Sequence, residues 1–234
     1  MSLEVKRCYN CGVEVREYAL REGERPLADQ LTWDHVPPRG LFNSPRPSNL
    51  ISVPCCFVCN NKHSGFDERL RICASMPFDR NESGQRILNE KVFEGTVARG
   101  RQQHFLASIG AAMKPVPGEP ELVGVSMNLP EFNDGIIRMT KGLLCTAHPT
   151  FNYYSSKFTA ISISSQSSPE QLKLMGLLKR ATYFERGERT FQCWYFLDVE
   201  RNGGAWMLVF YECFGFFVFH ADGPEFDRLI EKAR

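Results

Sequence analysis

Apolar and polar positions alternate in two distinct regimes along the chain. From residue 82 onward the pattern is periodic. Ile87, Leu88, Val92 and Phe93, followed by Phe105, Leu106 and Ile109, recur near the helical period and predict helix over 82–113, broken around Gly95 and Gly100. Residues 132–147 place Ile136, Ile137, Met139, Leu143 and Leu144 on one side, the mark of an amphipathic helix. Residues 158–164 alternate, with Phe158, Ala160 and Ser162 against Thr159, Ile161 and Ile163, and predict a strand. Ser168-Pro169-Glu170 reads as a helix start, with serine at the cap and proline at the first helical position, for a helix reaching Arg180. Stretches 190–199 and 205–219 are dense in aromatic and β-branched residues, and Arg201-Asn202-Gly203-Gly204 between them is a hairpin signal. A short helix over 225–233 closes the pattern. The prolines at 115, 117, 120 and 130 predict a long loop over 114–130.

The first 75 residues lack this periodicity. Pro37-Pro38, Gly40, Pro45, Pro47 and Pro54 exclude a continuous helix, and only Phe66, Leu70, Ile72 and Cys73 suggest one, over 67–75. Such a segment needs something other than a large core to hold it. The cysteines supply a candidate. Five of the nine are Cys8, Cys11, Cys55, Cys56 and Cys59, while Cys73, Cys145, Cys193 and Cys213 are scattered and read as small buried hydrophobes. Residues 1–20 carry several charges and no apolar core of an export signal, so a disulfide framework is not expected. The longest apolar run, 205–219, is interrupted by Glu212 and falls short of the roughly 20 residues that cross a bilayer. The expectation is a cytoplasmic protein with no membrane partner.

Cys8-Tyr-Asn-Cys11 and Cys56-Phe-Val-Cys59 are two C-x2-C knuckles, each able to turn two thiolates toward one ion. Together they make the donor set of a closed tetrahedral zinc site, which would clamp the two ends of an inserted unit. Cys55 would give a C-x3-C pair and is set aside as a non-ligand. The net charge of +1 excludes a protein held to nucleic acid by bulk charge, so phosphate contacts must come from a local patch.

Inside the insert lies Trp33-Asp34-His35-Val36-Pro37-Pro38-Arg39, followed by Asn49-Leu50-Ile51 and then Cys59-Asn60-Asn61-Lys62-His63-Ser64. The order Cys-x2-Cys, Asp-His-x-x-Pro, Asn-Leu-Ile, Cys-x2-Cys-Asn resembles the HNH endonuclease family, whose active site is a ββα-metal fold. The resemblance covers residues 5–75, about a third of the chain. It implies an α+β protein with a zinc-stapled ββα-metal module over 1–78. The region 79–234, with helices and an antiparallel sheet, matches no family of known chemistry; DNA positioning, partner recognition and homodimer formation are the roles open to it.

The chemistry of phosphodiester hydrolysis accounts for the residue types. His35 is the candidate base that activates water, since a free imidazole titrates near pH 6.5. Asp34 and Asn60 supply hard oxygen ligands for a catalytic Mg2+ or Mn2+. Neighbours on a strand face opposite sides, so both jobs fit only if the strand ends or bulges at this pair, as Val36-Pro37-Pro38 suggests. Asn49 resembles the asparagine that pins the loop carrying the histidine. His63, three residues after Asn60, is a candidate second ligand or phosphate contact if a helix starts near Asn60. Arg39 and Lys62 are candidates for flanking phosphates. DNA is the expected partner. A non-catalytic zinc-ribbon module that binds nucleic acid, and an RNA-directed nuclease or toxin, are the alternatives. His104, His148 and His220 stand apart from any metal pattern and read as structural.

Overall fold

The turn-rich first third resolves into two strands and a pair of helices. In the computed structural model, which describes residues 6–19, 21–98, 100, 103, 113–116, 119–125, 129–163, 169–178, 181–200 and 202–223, β1 (Leu31–Val36) pairs antiparallel with β2 (Ile51–Cys56). α1 (Phe57–Lys62) follows at once, and α2 (Ser64–Ser75) after it. The register runs unbroken from Leu31↔Cys56 to Val36↔Ile51. The expected break at Asp34-His35 is therefore absent. The strand continues to Val36, where Pro37 and Pro38 end it for want of amide donors. Alternation buries Asp34 and leaves His35 half-buried.

Residues 82–98 are helical, as the periodicity predicts: α3 (Glu82–Arg86), a π-helical stretch (Ile87–Glu94) and α4 (Gly95–Ala98), with Gly95 in helical conformation rather than at the expected break. Asn81 caps α3 by accepting from the Gly84 amide at 3.0 Å. The continuation of this helix through Phe105–Ile109, the cap at Ser168 and the closing helix at 225–233 lie outside the described residues. The loop expected at 114–130 is instead a hairpin of β3 (Met113–Val116) and β4 (Glu119–Val125). A two-stranded sheet has only edges, so Pro115 and Pro120 remove no amide from a central ladder.

α5 (Leu129–Ala147) is the helix expected at 132–147, and it packs on a five-stranded antiparallel sheet. The sheet order is β5-β9-β8-β7-β6, with β5 Lys157–Ile163, β6 Thr182–Arg186, β7 Phe191–Asp198, β8 Gly203–Phe210 and β9 Phe214–Ala221. The run 205–219 is thus two strands rather than one. Tyr211 and Glu212 turn the chain between them at φ 50° and 66°. The run reads as continuous because β8 and β9 are inner strands covered on both faces. α6 (Pro169–Leu178) lies on one face, where Leu178 packs with Met207 and Phe217. α5 and the first third lie on the other.

One apolar cluster crosses residue 78. It joins Val36, Phe42, Val53, Phe66 and Leu70 to Phe132, Ile136, Met139 and Leu143 of α5, and to Phe191, Trp206 and Phe216 of the sheet. Two glycines of α5 allow this approach. A Cβ on Gly135 would fall 2.2 Å from the Phe66 ring, and one on Gly142 would fall 2.7 Å from Val36 Cγ2. Hydrogen bonds span the same junction: Tyr211 Oη donates to the Leu41 carbonyl at 2.7 Å, and Tyr153 Oη to the Tyr9 carbonyl at 2.8 Å. His220 is buried, stacked on Phe158 and accepting from Trp206 Nε1 at 3.3 Å; His148 packs edge-on against Tyr195. Among the described residues no helix is long and apolar enough to cross a membrane.

Gly135→Ala tests the cross-junction packing. It is expected to cost about 1–3 kcal/mol, the usual penalty for overfilling a packed core, read from the denaturant midpoint. An unchanged midpoint would show that α2 and α5 do not meet there.

Candidate metal centre and cleft

Each knuckle is shaped by its own backbone. In the first, the Cys8 amide donates to the Val13 carbonyl at 2.8 Å and the Gly12 amide returns to the Cys8 carbonyl at 2.9 Å. Gly12 takes φ +78°, which a side chain would resist. In the second, Cys56 caps α1 and its sulfur accepts from the Cys59 amide at 3.4 Å. The Sγ atoms of Cys8, Cys11, Cys56 and Cys59 all lie within 4.8 Å of one another, with Cys11 and Cys56 at 3.9 Å. Tetrahedral zinc, about 2.3 Å from each sulfur, needs sulfurs roughly 3.8 Å apart. The group is able to hold a metal ion such as zinc.

Cys55 lies 3.9 Å from Cys8, outside the group of four. Contact with the Cys55 thiol holds Cys8 down at about 4, and the same contact pushes Cys55 far above its ordinary value. Burial raises Cys11 and Cys59. Binding zinc would require these thiols to give up their protons, and the cation would offset the charge of the resulting thiolates.

Beside this centre opens a cleft of about 460 Å³, lined by Trp33, Asp34, His35, Pro38, Arg39, Gly40, Arg46, Asn60, Asp67, Glu68 and Arg71. Its lining includes four of the residues that the sequence singled out, Asp34, His35, Arg39 and Asn60, although β1 runs unbroken through Asp34-His35 and sends their side chains to opposite faces. Burial, and then the charge of Arg39, lower the His35 pKa below its ordinary value and favour the neutral ring. Asn60 Nδ2 donates to Thr32 Oγ1 at 3.1 Å, and Thr32 Oγ1 donates to the Cys55 carbonyl at 2.8 Å. That chain leaves the Asn60 carbonyl oxygen as the end free for a ligand.

Asp34 is 5% exposed, and its Oδ2 accepts from both Tyr9 Oη and Arg138 Nη2. Arg138 is equally buried, and its Nη1 lies 3.6 Å from Asp67 Oδ1. Burial pushes Asp67 up to about 6. Both partners meet on Oδ2, so Oδ1 is the Asp34 oxygen that a cation would take. One carboxylate oxygen and one amide oxygen are hard donors, of the kind that a hard divalent ion takes.

The other three candidates lie outside the lining of this cleft. Asn49 is exposed, and its carbonyl accepts from Arg186 Nε at 3.1 Å. Lys62 is exposed at the end of α1. His63 is the joint between α1 and α2, so no regular helix carries it onto the face of Asn60. Its carbonyl accepts from the amides of Phe66 and Asp67. Burial, followed by the charge of Arg138, lowers its ring to about 4.

Sequence reasoning missed Tyr9, Asp67, Arg46, Arg71 and Arg138. The best available signal was Arg138. It stands between Ile137 and Met139 on the helix whose buried face includes Ile136, Met139 and Leu143, where an arginine calls for a partner. No protein-family model, curated protein or solved structure matches this chain.

Purified protein is expected to carry one zinc per chain by elemental analysis. Cys56→Ala is expected to lose it and to melt at a markedly lower temperature, since structural zinc contributes on the order of 10 kcal/mol. Unchanged zinc content and melting in that variant would show that the four thiols do not act as one site.

Proposed function

We propose that the protein is a divalent-metal-dependent endonuclease of the HNH kind, acting on phosphodiester bonds in DNA. The observation that carries this is His35 in the lining of a cleft whose walls also hold Arg39, Arg46 and Arg71 together with Asp34 and Asn60. The order strand, strand, helix over residues 31–75, with a four-thiol centre at its edge, supports the same reading.

His35 takes the proton of a water as it attacks phosphorus in line with the departing 3′ oxygen. The 5′ phosphate product is what the resemblance implies. Arg39, Arg46 and Arg71 hold phosphate oxygens, which explains how a chain of net charge +1 engages a polyanion. Mg2+ or Mn2+, when held by Asp34 and Asn60, supplies charge neutralisation at the phosphate and the leaving oxygen. Asn49, Lys62 and His63 take no direct part in this reading.

One observation favours the alternative of a zinc-dependent nucleic-acid-binding module without catalysis. Asp34 already has a fixed cationic partner in Arg138. In that case the cleft holds phosphates and cuts nothing.

Nicking of supercoiled plasmid, with and without Mg2+ or Mn2+, separates the two readings; parallel RNA substrates identify a ribonuclease. His35→Ala is expected to lose roughly 10²–10⁴-fold in rate, the usual worth of a positioned base, while keeping its zinc and melting temperature. Undiminished metal-dependent cleavage by this variant would remove His35 as the base.

The pH profile gives an independent check. His35 works only when neutral, and its pKa lies below 6.5, so kcat/KM should hold near neutrality and fall as pH drops through that lowered value. Arg39→Ala removes one of the causes of the lowering and should move the acid limb upward toward 6.5. A limb that stays in place, or moves down, would show that another group sets it.

A further inference from the structure

Asp34 is a carboxylate on a regular strand, buried on the side away from solvent, and two donors meet on one of its oxygens. One is the hydroxyl of Tyr9, the other the guanidinium of Arg138. We propose that Tyr9 and Arg138 are positioning residues for the catalytic cation: by holding Oδ2 of Asp34 from two directions, they present Oδ1 to the ion. The proposal rests on the nuclease reading and adds to it two residues that lie outside the resemblance's motif positions.

Both donors are themselves held. Tyr9 sits between Cys8 and Cys11 in the first knuckle and is fully buried. Its amide donates to the Pro54 carbonyl at 3.0 Å, and its carbonyl accepts from Tyr153 Oη at 2.8 Å. The turn that carries the thiols therefore also aims the phenol at Asp34. Arg138 comes from α5, far along the chain, and its side chain is 5% exposed. Its Nη2 donates to Asp34, and its Nη1 lies 3.6 Å from Asp67 Oδ1, an ion-pair distance beyond hydrogen-bond reach. The planar guanidinium fork, held between the two carboxylates, aims a fixed donor at Asp34 in a way that a lysine does not reproduce. Donors to a ligating carboxylate orient it, and their loss commonly weakens metal binding 10–100-fold.

The opposite effect is equally well defined. If Arg138 competes with the ion for Asp34, its removal tightens metal binding. The test is isothermal titration of Mn2+ alone into zinc-loaded, full-length protein, comparing wild type with Asp34→Asn, Tyr9→Phe, Arg138→Gln and Arg138→Lys. Zinc content and melting temperature are recorded for each. Asp34→Asn should abolish the hard-ion site. Tyr9→Phe and Arg138→Gln should each weaken Mn2+ by about tenfold or more. Arg138→Lys should weaken it as well, because charge without the fork does not orient the carboxylate. Tyr9→Phe removes one hydroxyl without changing the ring, so it remains informative should Arg138→Gln fail to fold.

Unchanged or tighter Mn2+ binding in Tyr9→Phe, or tighter binding in a folded Arg138→Gln, overturns the positioning role while leaving the nuclease reading intact. Wild-type binding to Arg138→Lys overturns the role assigned to the fork. A wild type that binds no Mn2+ and cuts no plasmid overturns the nuclease reading and this proposal together.

Discussion

A buried ion pair between Asp34 and Arg138 ties the first strand to the long helix of the second half. Neither charge is at the surface, and breaking such a pair by removing one partner typically costs about 3–5 kcal/mol, because the other is left uncompensated. The strand and the helix must therefore be placed to within a hydrogen bond of one another. Gly135 and Gly142 provide the close approach, and the Phe66–Phe132 edge contact at 5.4 Å fills the space beside it. The first third of the chain is short of core when taken alone. It gains one by lending Val36, Phe66 and Leu70 to the cluster built on α5 and the sheet.

The residues around this strand offer two kinds of donor. Four soft sulfurs are suited to zinc and poor for magnesium. Asp34 and Asn60 carry hard oxygens with the reverse preference. The two donor sets are linked by short covalent and hydrogen-bonded paths. Tyr9 runs from the first knuckle to Asp34. Thr32 runs from the Cys55 carbonyl to Asn60, next to the second knuckle. A zinc that fixes both knuckles would therefore also orient the oxygen donors.

Much of this was legible in the sequence, because it is encoded locally. Two C-x2-C spacings, an Asp-His pair before two prolines, and the periodicity of α5 each depend on residues a few positions apart. The missing parts depend on distant ones. Arg138 and Asp34 are 104 positions apart, and no local pattern links one to the other. The β3–β4 hairpin was hidden by its prolines, which a two-stranded sheet tolerates. The turn at Tyr211–Glu212 was hidden because both flanking strands are buried on both faces, so no polar alternation marks where one ends. His63 was placed with Asn60 on the assumption of one helix, whereas α1 ends at Lys62 and α2 begins at Ser64.

The most direct test of the account is a crystal structure of the zinc-loaded protein soaked in Mn2+, with anomalous data collected at the edges of both metals. The account requires two separate ions. Zinc should lie among the sulfurs of Cys8, Cys11, Cys56 and Cys59. Manganese should lie in the cleft beside His35, bound to Asp34 Oδ1 and Asn60 Oδ1 at roughly 2.0–2.6 Å, with Tyr9 and Arg138 still on Asp34 Oδ2. A cleft that stays free of manganese at saturating concentration, or a manganese ion bound away from Asp34 and Asn60, would contradict it.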